Sequence, residues 1–313
     1  MSPISTLKLP LIDLSELDGS KPGTGPWDSL QSQVRQALEE YGCFEALHDK
    51  MTLKLHNDVL QELEGLFELP TDVKHRFDNP NKPTAGYIAD LPLYEAFGIG
   101  YAPSLGSIEK FADLMWPEGN TRFCDIMNTY AMRVLELDSL VKKLVLRSLG
   151  VDKYVDSLAK SVKYSLRAMR YAAPATEESK KPETSCHRDA NFVTILHQNH
   201  VNGLEVQTKD GRWIEVAFSS ASSFVVITGE SFYGWSNGRI YSPCHRVKIS
   251  GHELRHSIGL FSSDQGTVQC PDELVDDHHP LLFMPFDTAG LSRIYKTKEG
   301  LMGASAMDTF YKL

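Results

Sequence analysis

The sequence has 313 residues, of which 42% are hydrophobic and 23% charged, and its formal net charge is −9. This composition is typical of a folded protein with a sizeable core, and it excludes disordered, collagen-like and coiled-coil chains. The acidity disfavours a nucleic-acid-binding or anionic-membrane surface, and no apolar run reaches the roughly 18–20 residues of a membrane-spanning helix. We therefore expect a protein with neither a nucleic acid nor a membrane as its partner.

The first half of the chain is predicted to be mainly helical. A short apolar stretch at Leu9–Leu14 predicts a first strand, and helical spacing of apolar residues predicts helices at Trp27–Tyr41, Leu53–Leu69 and Arg122–Leu149. The segment Asn79–Gly106 is irregular and rich in proline, glycine and tyrosine. Because long loops in compact domains are often functional, we expect this segment to be a loop that covers a binding site.

The pattern changes to short strands after residue 151. Apolar and polar residues alternate from Val162 to Met169, which predicts a strand. Further strand-like runs are Phe192–Leu196, Leu204–Thr208, Trp213–Val216 and Phe224–Thr228. Turn signals that predict hairpins occur at Asn202-Gly203, Asp210-Gly211 and Asn237-Gly238.

Many short strands at regular spacing predict a jelly roll. We therefore predict an α+β fold, in which a double-stranded β-helix (jelly roll) is flanked by N-terminal helices and by a C-terminal helix at Gly300–Tyr311. The mainly helical region would comprise residues 1–150, and the jelly-roll region residues 151–313.

The cysteines are odd in number and widely spaced, at Cys43, Cys124, Cys186, Cys244 and Cys270. No CxxC pair occurs, so the spacing indicates neither a zinc knuckle nor a disulfide framework. The N-terminal segment has no long apolar stretch, so we expect no secretory signal. A reducing cytoplasm is the expected compartment.

The clearest chemical signal is a set of three metal-binding residue types. His187 and Asp189 are two positions apart, so in an extended backbone their side chains point the same way. With His245 they would form the two-histidine, one-carboxylate triad of non-haem Fe(II) oxygenases. An HxD pattern alone is a weak signal, and each histidine could be an ordinary strand or surface residue.

A second pair of residues follows His245 by about ten positions. Arg255 and Ser257 share one strand face, and a guanidinium beside a hydroxyl suits a buried carboxylate. The alternative is a surface arginine and a buried serine. The joint order of HxD, histidine and RxS is considerably more specific than any part of it.

Strand parity also places Arg167, Met169 and Tyr171 on one face. A barrel whose polar face points inward to a cofactor would produce this pattern, and so would an ordinary polar outer face. Three other histidines, His197, His200 and His252, are predicted to be solvated strand or turn residues.

With these residues in view, the chain resembles the plant-type Fe(II)/2-oxoglutarate-dependent dioxygenases over nearly its whole length. The segments that carry the resemblance are residues 9–14, 37–46, 67–70, 235–239 and 242–247. Within that family the chain is most similar to the glucosinolate-modifying alkenyl/hydroxyalkyl-producing enzymes and deoxypodophyllotoxin synthase, on residues 93–98, 115–120 and 273–279.

The resemblance implies that His187, Asp189 and His245 bind Fe(II), and that Arg255 and Ser257 bind the C5 carboxylate of 2-oxoglutarate. Tyr171 occupies the position of a tyrosine that contacts this co-substrate in many members. The usual asparagine two residues before it is Met169 here, which puts a secondary contact to 2-oxoglutarate in doubt.

The activity implied by the resemblance is oxidation of a small plant specialised metabolite by O₂, with ascorbate as reductant and release of succinate and CO₂. The outcome would be hydroxylation, O-demethylation, ring closure or desaturation, by a monomer. Three rivals stay open: an oxidase on the same scaffold that does not use 2-oxoglutarate, a zinc hydrolase with the same ligands, and a non-catalytic metabolite-binding jelly roll.

Aromatic and apolar side chains are expected to line the substrate pocket. The candidates are Tyr87, Tyr94, Phe97, Phe261 and Phe310. For each of them, plain core packing explains the residue equally well.

Overall fold

The computed structural model of the chain describes residues 7–17, 22–79, 85–89, 93–100, 106–172, 185–249, 252–295 and 303–313. The helices are α1 (Gly25–Glu40), α2 (Leu53–Phe67), α3 (Thr71–Lys74), α4 (Ser107–Met115), α5 (Thr121–Ser148), α6 (Val155–Ser161), α7 (Glu230–Trp235) and α8 (Thr288–Ile294). Short 3-10 turns occur at Ser15–Leu17, His75–Phe77, Asp152–Tyr154 and Asp272–Leu274, and a π-helical turn at Met307–Tyr311. Within these residues, no helix is long and apolar enough to span a membrane.

The strands are β1 (Leu11–Asp13), β2 (Cys43–Leu47), β3 (Gly86–Ile88), β4 (Tyr94–Gly100), β5 (Val162–Tyr171), β6 (Val193–Gln198), β7 (Leu204–Gln207), β8 (Trp213–Glu215), β9 (Ser223–Thr228), β10 (His245–Val247), β11 (Arg255–Asp264), β12 (Thr267–Val268) and β13 (Phe286–Asp287). Eight of them form a large sheet in the order β1-β2-β9-β6-β11-β5-β4-β3. A small sheet has the order β10-β7-β8, and β12 pairs with β13. The strands at the two edges of the large sheet, β1 and β3, have three residues each.

The large sheet lies between a layer of helices and the small sheet. In β9, Phe224 and Val226 belong to the core shared with the helices, whereas Val225 and Ile227 belong to the core shared with the small sheet. Alternate residues of one strand point to opposite faces, so a strand covered on both sides must be apolar throughout. This arrangement confirms the predicted α+β jelly roll with its N-terminal helices.

The three predicted N-terminal helices are present, and local signals explain where they begin. Pro26 lies in the first turn of α1. Side chains cap the other two helices: Thr52 accepts a hydrogen bond from the Leu55 amide at 3.2 Å, and Asn120 accepts one from the Phe123 amide at 2.9 Å. Such caps satisfy amides that have no partner inside the helix and typically contribute about 1 kcal/mol.

The prediction of an irregular loop at Asn79–Gly106 is wrong in its described part. Strands β3 and β4 form a hairpin there, and β4 pairs with β5 along its whole length. Pairing with a distant strand overrides the local proline and glycine signals, because it satisfies the backbone and buries Ala96, Phe97 and Ile99. Residues 80–84, 90–92 and 101–105 lie outside the described residues.

Two of the three predicted hairpin turns are also wrong. Asp210-Gly211 does join the antiparallel strands β7 and β8. In contrast, Asn202-Gly203 leads from the large sheet to the small one, and Asn237-Gly238 follows helix α7 with positive φ values of 54° and 78°. Only Asn237-Gly238 uses the positive φ values that asparagine and glycine tolerate, and neither turn connects paired strands.

The C-terminal helix is shorter than predicted. The described part of Gly300–Tyr311 has a single π-helical turn at Met307–Tyr311, and residues 300–302 lie outside the described residues. Helix α8, just upstream, was not predicted. The prediction of a solvated His197 is wrong as well, since its ring is buried and its Nε2 lies 2.9 Å from Nδ1 of His56.

The cysteine prediction needs a correction too. The structure joins Cys186 and Cys244 in a disulfide, although they are 58 residues apart in sequence and belong to no cysteine motif. They meet because His187 and His245, the residues that follow them, pair in an isolated antiparallel bridge. Such a contact depends on strand pairing and therefore leaves no trace in cysteine spacing.

Candidate active site

His187, Asp189 and His245 converge at one end of the space between the two sheets. Their ligand atoms all lie within 4.8 Å of one another. One carboxylate oxygen of Asp189 lies 3.9 Å from Nε2 of His187, and the other lies 3.8 Å from Nε2 of His245. Among the described residues, this is the one group of three or more such side chains arranged for a metal.

Backbone carbonyls orient both imidazoles. Nδ1 of His187 lies 3.0 Å from the Ser185 carbonyl, and Nδ1 of His245 lies 3.3 Å from the Pro243 carbonyl. A carbonyl can only accept, so each Nδ1 carries the proton and each Nε2 presents a lone pair to the centre. Burial lowers the pKa of His245 to about 4, which keeps that ring neutral at pH 7. Neutral imidazole is the form that binds a metal.

Asp189 is held by several contacts. Thr194 Oγ1 donates a hydrogen bond to its carboxylate at 2.5 Å, and its backbone carbonyl accepts one from the Glu230 amide at 2.7 Å. Burial alone would raise the pKa of Asp189, but the nearby His245 and His187 and the Thr194 hydrogen bond outweigh it, so this pKa lies below its ordinary value. The carboxylate is therefore ionised and fixed in direction.

Replacing Thr194 by valine is expected to weaken metal binding about tenfold, because the carboxylate loses the hydrogen bond that orients it. The measurement is a calorimetric titration of Mn²⁺ into the metal-free chain. Thr228→Val is the matched control, since Thr228 is equally buried but donates to the Gly42 carbonyl, away from the metal-binding group. Equal affinity in the two variants would contradict the role given to Thr194.

Arg255 and Ser257 lie on β11, at the other end of the same space. Nε and Nη2 of Arg255 donate to Gln198 Oε1 at 3.1 and 2.8 Å, and Nη1 lies 3.2 Å from Ser257 Oγ. The guanidinium also lies 5.0 Å from the centre of the Tyr171 ring. Arg255 is only 1% exposed. None of the described carboxylates forms an ion pair with it, which leaves a buried positive charge without a counter-ion.

A cavity of about 110 Å³ connects the two groups of residues. Strands β5, β11 and β6 line one side of this cavity, and their register brings the lining residues together. Arg255 pairs with Tyr171, and Ser257 lies between Met169 and Gln198. The cavity is lined by the triad and by Tyr94, Arg167, Met169, Tyr171, Thr194, Leu196, Leu204, Val247, Arg255, Ser257 and Phe261. The face of β5 that carries Arg167, Met169 and Tyr171 thus points inward, which resolves the ambiguity left by strand parity.

A second cavity, of about 370 Å³, adjoins the first at the metal-binding group. The two share four residues, Arg167, His187, Asp189 and Phe261. The remaining lining is mostly polar and consists of Ser165, Ser185, Arg188, Ala190, Asn191, Ser263, Thr288, Ser292 and Tyr295. His187, whose side chain is 41% exposed, is the most accessible of the three candidate ligands.

The structure places the five aromatic candidates for the substrate pocket in different environments. Phe261 lines both cavities, and Tyr94 lines the smaller one. Phe97 packs in the core shared with the helices, because on β4 the residues facing the small sheet are Tyr94 and Ala96. Tyr87 packs in the same core, since on β3 it pairs with Phe97. Phe310 is 45% exposed and lines neither cavity.

Sequence reasoning missed Gln198 and Thr194, which hold Arg255 and Asp189 in place. Both lie on β6, on the same face as Leu196, so the alternation of that strand could have indicated them. Strand parity placed Arg167 with Met169 and Tyr171 but left the direction of their face open, and Arg167 was not proposed as a site residue. The polar lining from residues 285–295 had no signal in the sequence.

The residues present suit the group that the triad pattern implies. Two imidazole nitrogens and one carboxylate oxygen are the donor set of non-haem Fe(II) sites, which leave positions open for other ligands. At the far end of the smaller cavity, the buried Arg255 has no anionic partner among the residues that the structure describes. A dicarboxylate such as 2-oxoglutarate would supply that anion at one end and metal-binding oxygens at the other.

Two family models match the chain. The model of the 2OG-Fe(II) oxygenase superfamily matches residues 163–264, which contain the triad and the Arg255–Ser257 pair. The model described as non-haem dioxygenase in morphine synthesis N-terminal matches residues 9–102.

Individual relatives agree with these models. The probable 2-oxoglutarate-dependent dioxygenase AOP1.2 of Arabidopsis thaliana is 38% identical over 315 residues, covering 98% of this chain and 97% of that protein. The Arabidopsis 2-oxoglutarate-dependent dioxygenase AOP3 is 30% identical and covers 97% of each chain. The crystal structure of the rice dioxygenase for auxin oxidation has a TM-score of 0.80 at 28% identity, covering 97% of this chain and all of that one.

The two Arabidopsis relatives are a probable and a named 2-oxoglutarate-dependent dioxygenase, which favours this chemistry over a 2-oxoglutarate-independent oxidase, a zinc hydrolase or a non-catalytic binding protein. The family models match segments of both the helical and the strand-rich parts, and the relative AOP1.2 matches 98% of the chain. The chain therefore belongs to the 2OG-Fe(II) oxygenase superfamily, as a 2-oxoglutarate-dependent dioxygenase of small metabolites that uses Fe(II) and O₂.

Proposed function

We propose that His187, Asp189 and His245 hold Fe(II) at the junction of the two cavities, with 2-oxoglutarate in the smaller cavity and the metabolite in the larger. The observation that carries this proposal is that the two cavities meet at the candidate ligands and share His187 and Asp189. A co-substrate and a substrate could then approach one metal from different sides. The C5 carboxylate of 2-oxoglutarate would bind Arg255 and Ser257, with the Tyr171 ring against the guanidinium.

The larger cavity suits a small metabolite that carries an anionic group. Among the described residues that line it, Arg167 and Arg188 are the two guanidiniums and Asp189 is the one carboxylate. The two guanidiniums, together with a divalent metal when one is bound, would favour an anion in this cavity. The guanidinium of Arg167 lies over the Phe261 ring, 5.3 Å from its centre, which holds it at the boundary of the two cavities.

The protein's part in the reaction is to bind and orient the metal, the co-substrate and the metabolite, and to exclude water from them. Iron, when bound, supplies the activation of O₂ that couples decarboxylation of 2-oxoglutarate to oxidation of the metabolite. Thr194 and the Ser185 and Pro243 carbonyls fix the direction of the ligands. The side chains of Tyr94, Met169 and Leu196 line the co-substrate cavity. Their apolar surface would lower the local dielectric and so strengthen the Arg255–carboxylate interaction.

The wider assignment follows from the same proposal. The metabolite would be a specialised plant compound, oxidised by hydroxylation, O-demethylation, ring closure or desaturation with release of succinate and CO₂. The enzyme would act as a cytoplasmic monomer, with residues 1–150 as the mainly helical region and residues 151–313 as the catalytic region.

The proposed anionic substrate can be tested with matched pairs of metabolites. The purified chain is incubated with Fe(II), 2-oxoglutarate and ascorbate, together with a library in which each carboxylic acid has its methyl ester beside it. We expect the productive acid to have a kcat/KM at least about tenfold above its ester, as for a charged hydrogen bond worth ~1.5–3 kcal/mol. In Arg167→Met this preference should largely disappear.

Arg170→Met is the control for this experiment. Arg170 lies on the same strand, but its guanidinium binds Glu68 and Glu95 outside both cavities. It should keep the preference for the acid. An acid and an ester that react equally well would contradict the anionic substrate, whereas the absence of succinate with every compound would count against the dioxygenase assignment itself.

A further inference from the structure

The Cys186–Cys244 disulfide lies directly beside the proposed iron ligands. Cys186 precedes His187 and Cys244 precedes His245, and the two cysteine Cα atoms are 6.0 Å apart. This separation lies within the usual range of roughly 4.4–6.8 Å for disulfides, so the backbone can carry the bond. The described residues contain no other cysteine pair, since Cys43, Cys124 and Cys270 are free.

We propose that Cys186 and Cys244 form a reversible dithiol–disulfide site that sets how tightly the chain holds its iron. This inference rests on the proposed function, because it requires His187 and His245 to be iron ligands. The sulfur atoms need not take part in the oxidation of the metabolite.

The geometry explains how a bond between the cysteines would act on the ligands. His187 and His245 meet in an isolated bridge, held by two backbone hydrogen bonds of 3.1 and 2.9 Å. Residues adjacent in an extended backbone point to opposite sides, so the sulfur atoms do not compete with the imidazoles for the metal. The disulfide ties together the same two segments and restricts the positions that the two imidazoles can adopt.

The disulfide can affect metal binding because the bridge between His187 and His245 is a single residue pair and restricts the two imidazoles only weakly. A site whose ligands are already in place loses less conformational freedom when the metal binds. Opening the disulfide leaves the two backbone hydrogen bonds to hold the segments together. We therefore expect the dithiol form to bind the metal more weakly than the disulfide form.

The two cysteines differ in exposure. Cys244 is buried, whereas Cys186 is partly exposed. Gly303 covers both sulfur atoms from the C-terminal segment: a Cβ there would lie 2.8 Å from Sγ of Cys244 and 3.0 Å from Sγ of Cys186. Exchange would therefore begin at Cys186, because attack requires access to the sulfur.

The redox step balances with a low-molecular-weight disulfide as oxidant. Its S–S bond breaks, the Cys186–Cys244 bond forms, and two small thiols leave with the two protons and two electrons of the cysteines. A reducing compartment would keep the dithiol form, and oxidising conditions would form the bond. The enzyme would then retain iron more tightly when thiols become oxidised.

The test compares the two states of the full chain. Metal-free protein is treated either with oxidised glutathione or with a phosphine reductant, then desalted, and alkylation with mass spectrometry counts the free thiols. Calorimetric titration of Mn²⁺, a redox-stable substitute for Fe(II), is expected to show at least about tenfold tighter binding in the disulfide form.

Cysteine-to-serine variants provide a second test of the same inference. Cys244→Ser and Cys186→Ser should each bind Mn²⁺ like the reduced protein in both treatments, after circular dichroism has verified folding. Cys270→Ser, at a buried free cysteine, should keep the full redox difference.

Equal Mn²⁺ affinity in the two states of the unmodified chain would overturn the inference, and so would alkylation of both cysteines after oxidation. These results differ from a failure of the proposed function. If Mn²⁺ bound in neither state, the assignment of His187, Asp189 and His245 as ligands would itself be wrong.

Discussion

Replacing Asp189 by alanine or asparagine is expected to abolish turnover. Asp189 is the only carboxylate of the metal-binding group in the described structure, and its oxygens lie 3.8–3.9 Å from Nε2 of both histidines. Removing a ligand should lower metal affinity by more than the ~10–100-fold typical of a partner that only orients one. The measurements are succinate formation and titration of Mn²⁺ into the metal-free protein.

Asparagine is the informative variant because it keeps the size of the side chain and can still accept a hydrogen bond from Thr194. Asp276→Ala is the matched control, since Asp276 pairs with His279 at the surface and contacts neither cavity. We expect the control to keep both activity and metal binding. Near-normal turnover in Asp189→Asn would show that the metal site is elsewhere.

Replacing Arg255 by leucine is expected to raise the 2-oxoglutarate requirement at least about a hundredfold, with little change in metal affinity. A hundredfold corresponds to ~2.7 kcal/mol, within the range for removing one partner of a buried charge pair. The bidentate contacts to Gln198 fix the guanidinium, so the remaining N–H groups face the cavity in one orientation. Leucine supplies neither the charge nor the donors.

The measurement is calorimetric titration of 2-oxoglutarate and of metal into the anaerobic protein. Arg255→Lys keeps the charge but loses the planar fork, and it should fall between the wild type and the leucine variant. Ser257→Ala should cost about 1 kcal/mol, the contribution of one hydrogen bond. Unchanged 2-oxoglutarate binding in Arg255→Leu would place the C5 carboxylate elsewhere.

Local periodicity was enough to predict the parts of this molecule that depend on neighbouring residues. The long helices α2 and α5 could be recognised from their apolar stripes, and strand parity placed His187 with Asp189 and Arg255 with Ser257. These features depend on residues that are close in sequence: within one or two turns of a helix, or two positions apart along a strand. Such short-range signals are preserved in any fold that uses the segment in that conformation.

The features that could not be predicted depend on pairing between distant segments. Strand β4 forms because β5 lies beside it, and that pairing turns Phe97 toward the helices and away from the two cavities. Cys186 meets Cys244 only through the bridge between His187 and His245. Gln198 reaches Arg255 because β6 pairs with β11. A single sequence contains no direct record of such partners.

The three-residue edge strands β1 and β3 have a consequence for the solubility of the chain. The central strand β9 reads Ser-Phe-Val-Val-Ile-Thr, a segment of high β-propensity and no charge that would promote aggregation if a neighbouring copy could pair with it. An open sheet edge offers unpaired backbone groups in proportion to its length. By ending the large sheet in strands this short, the fold gives another copy little backbone to extend, and the aggregation-prone segments stay enclosed.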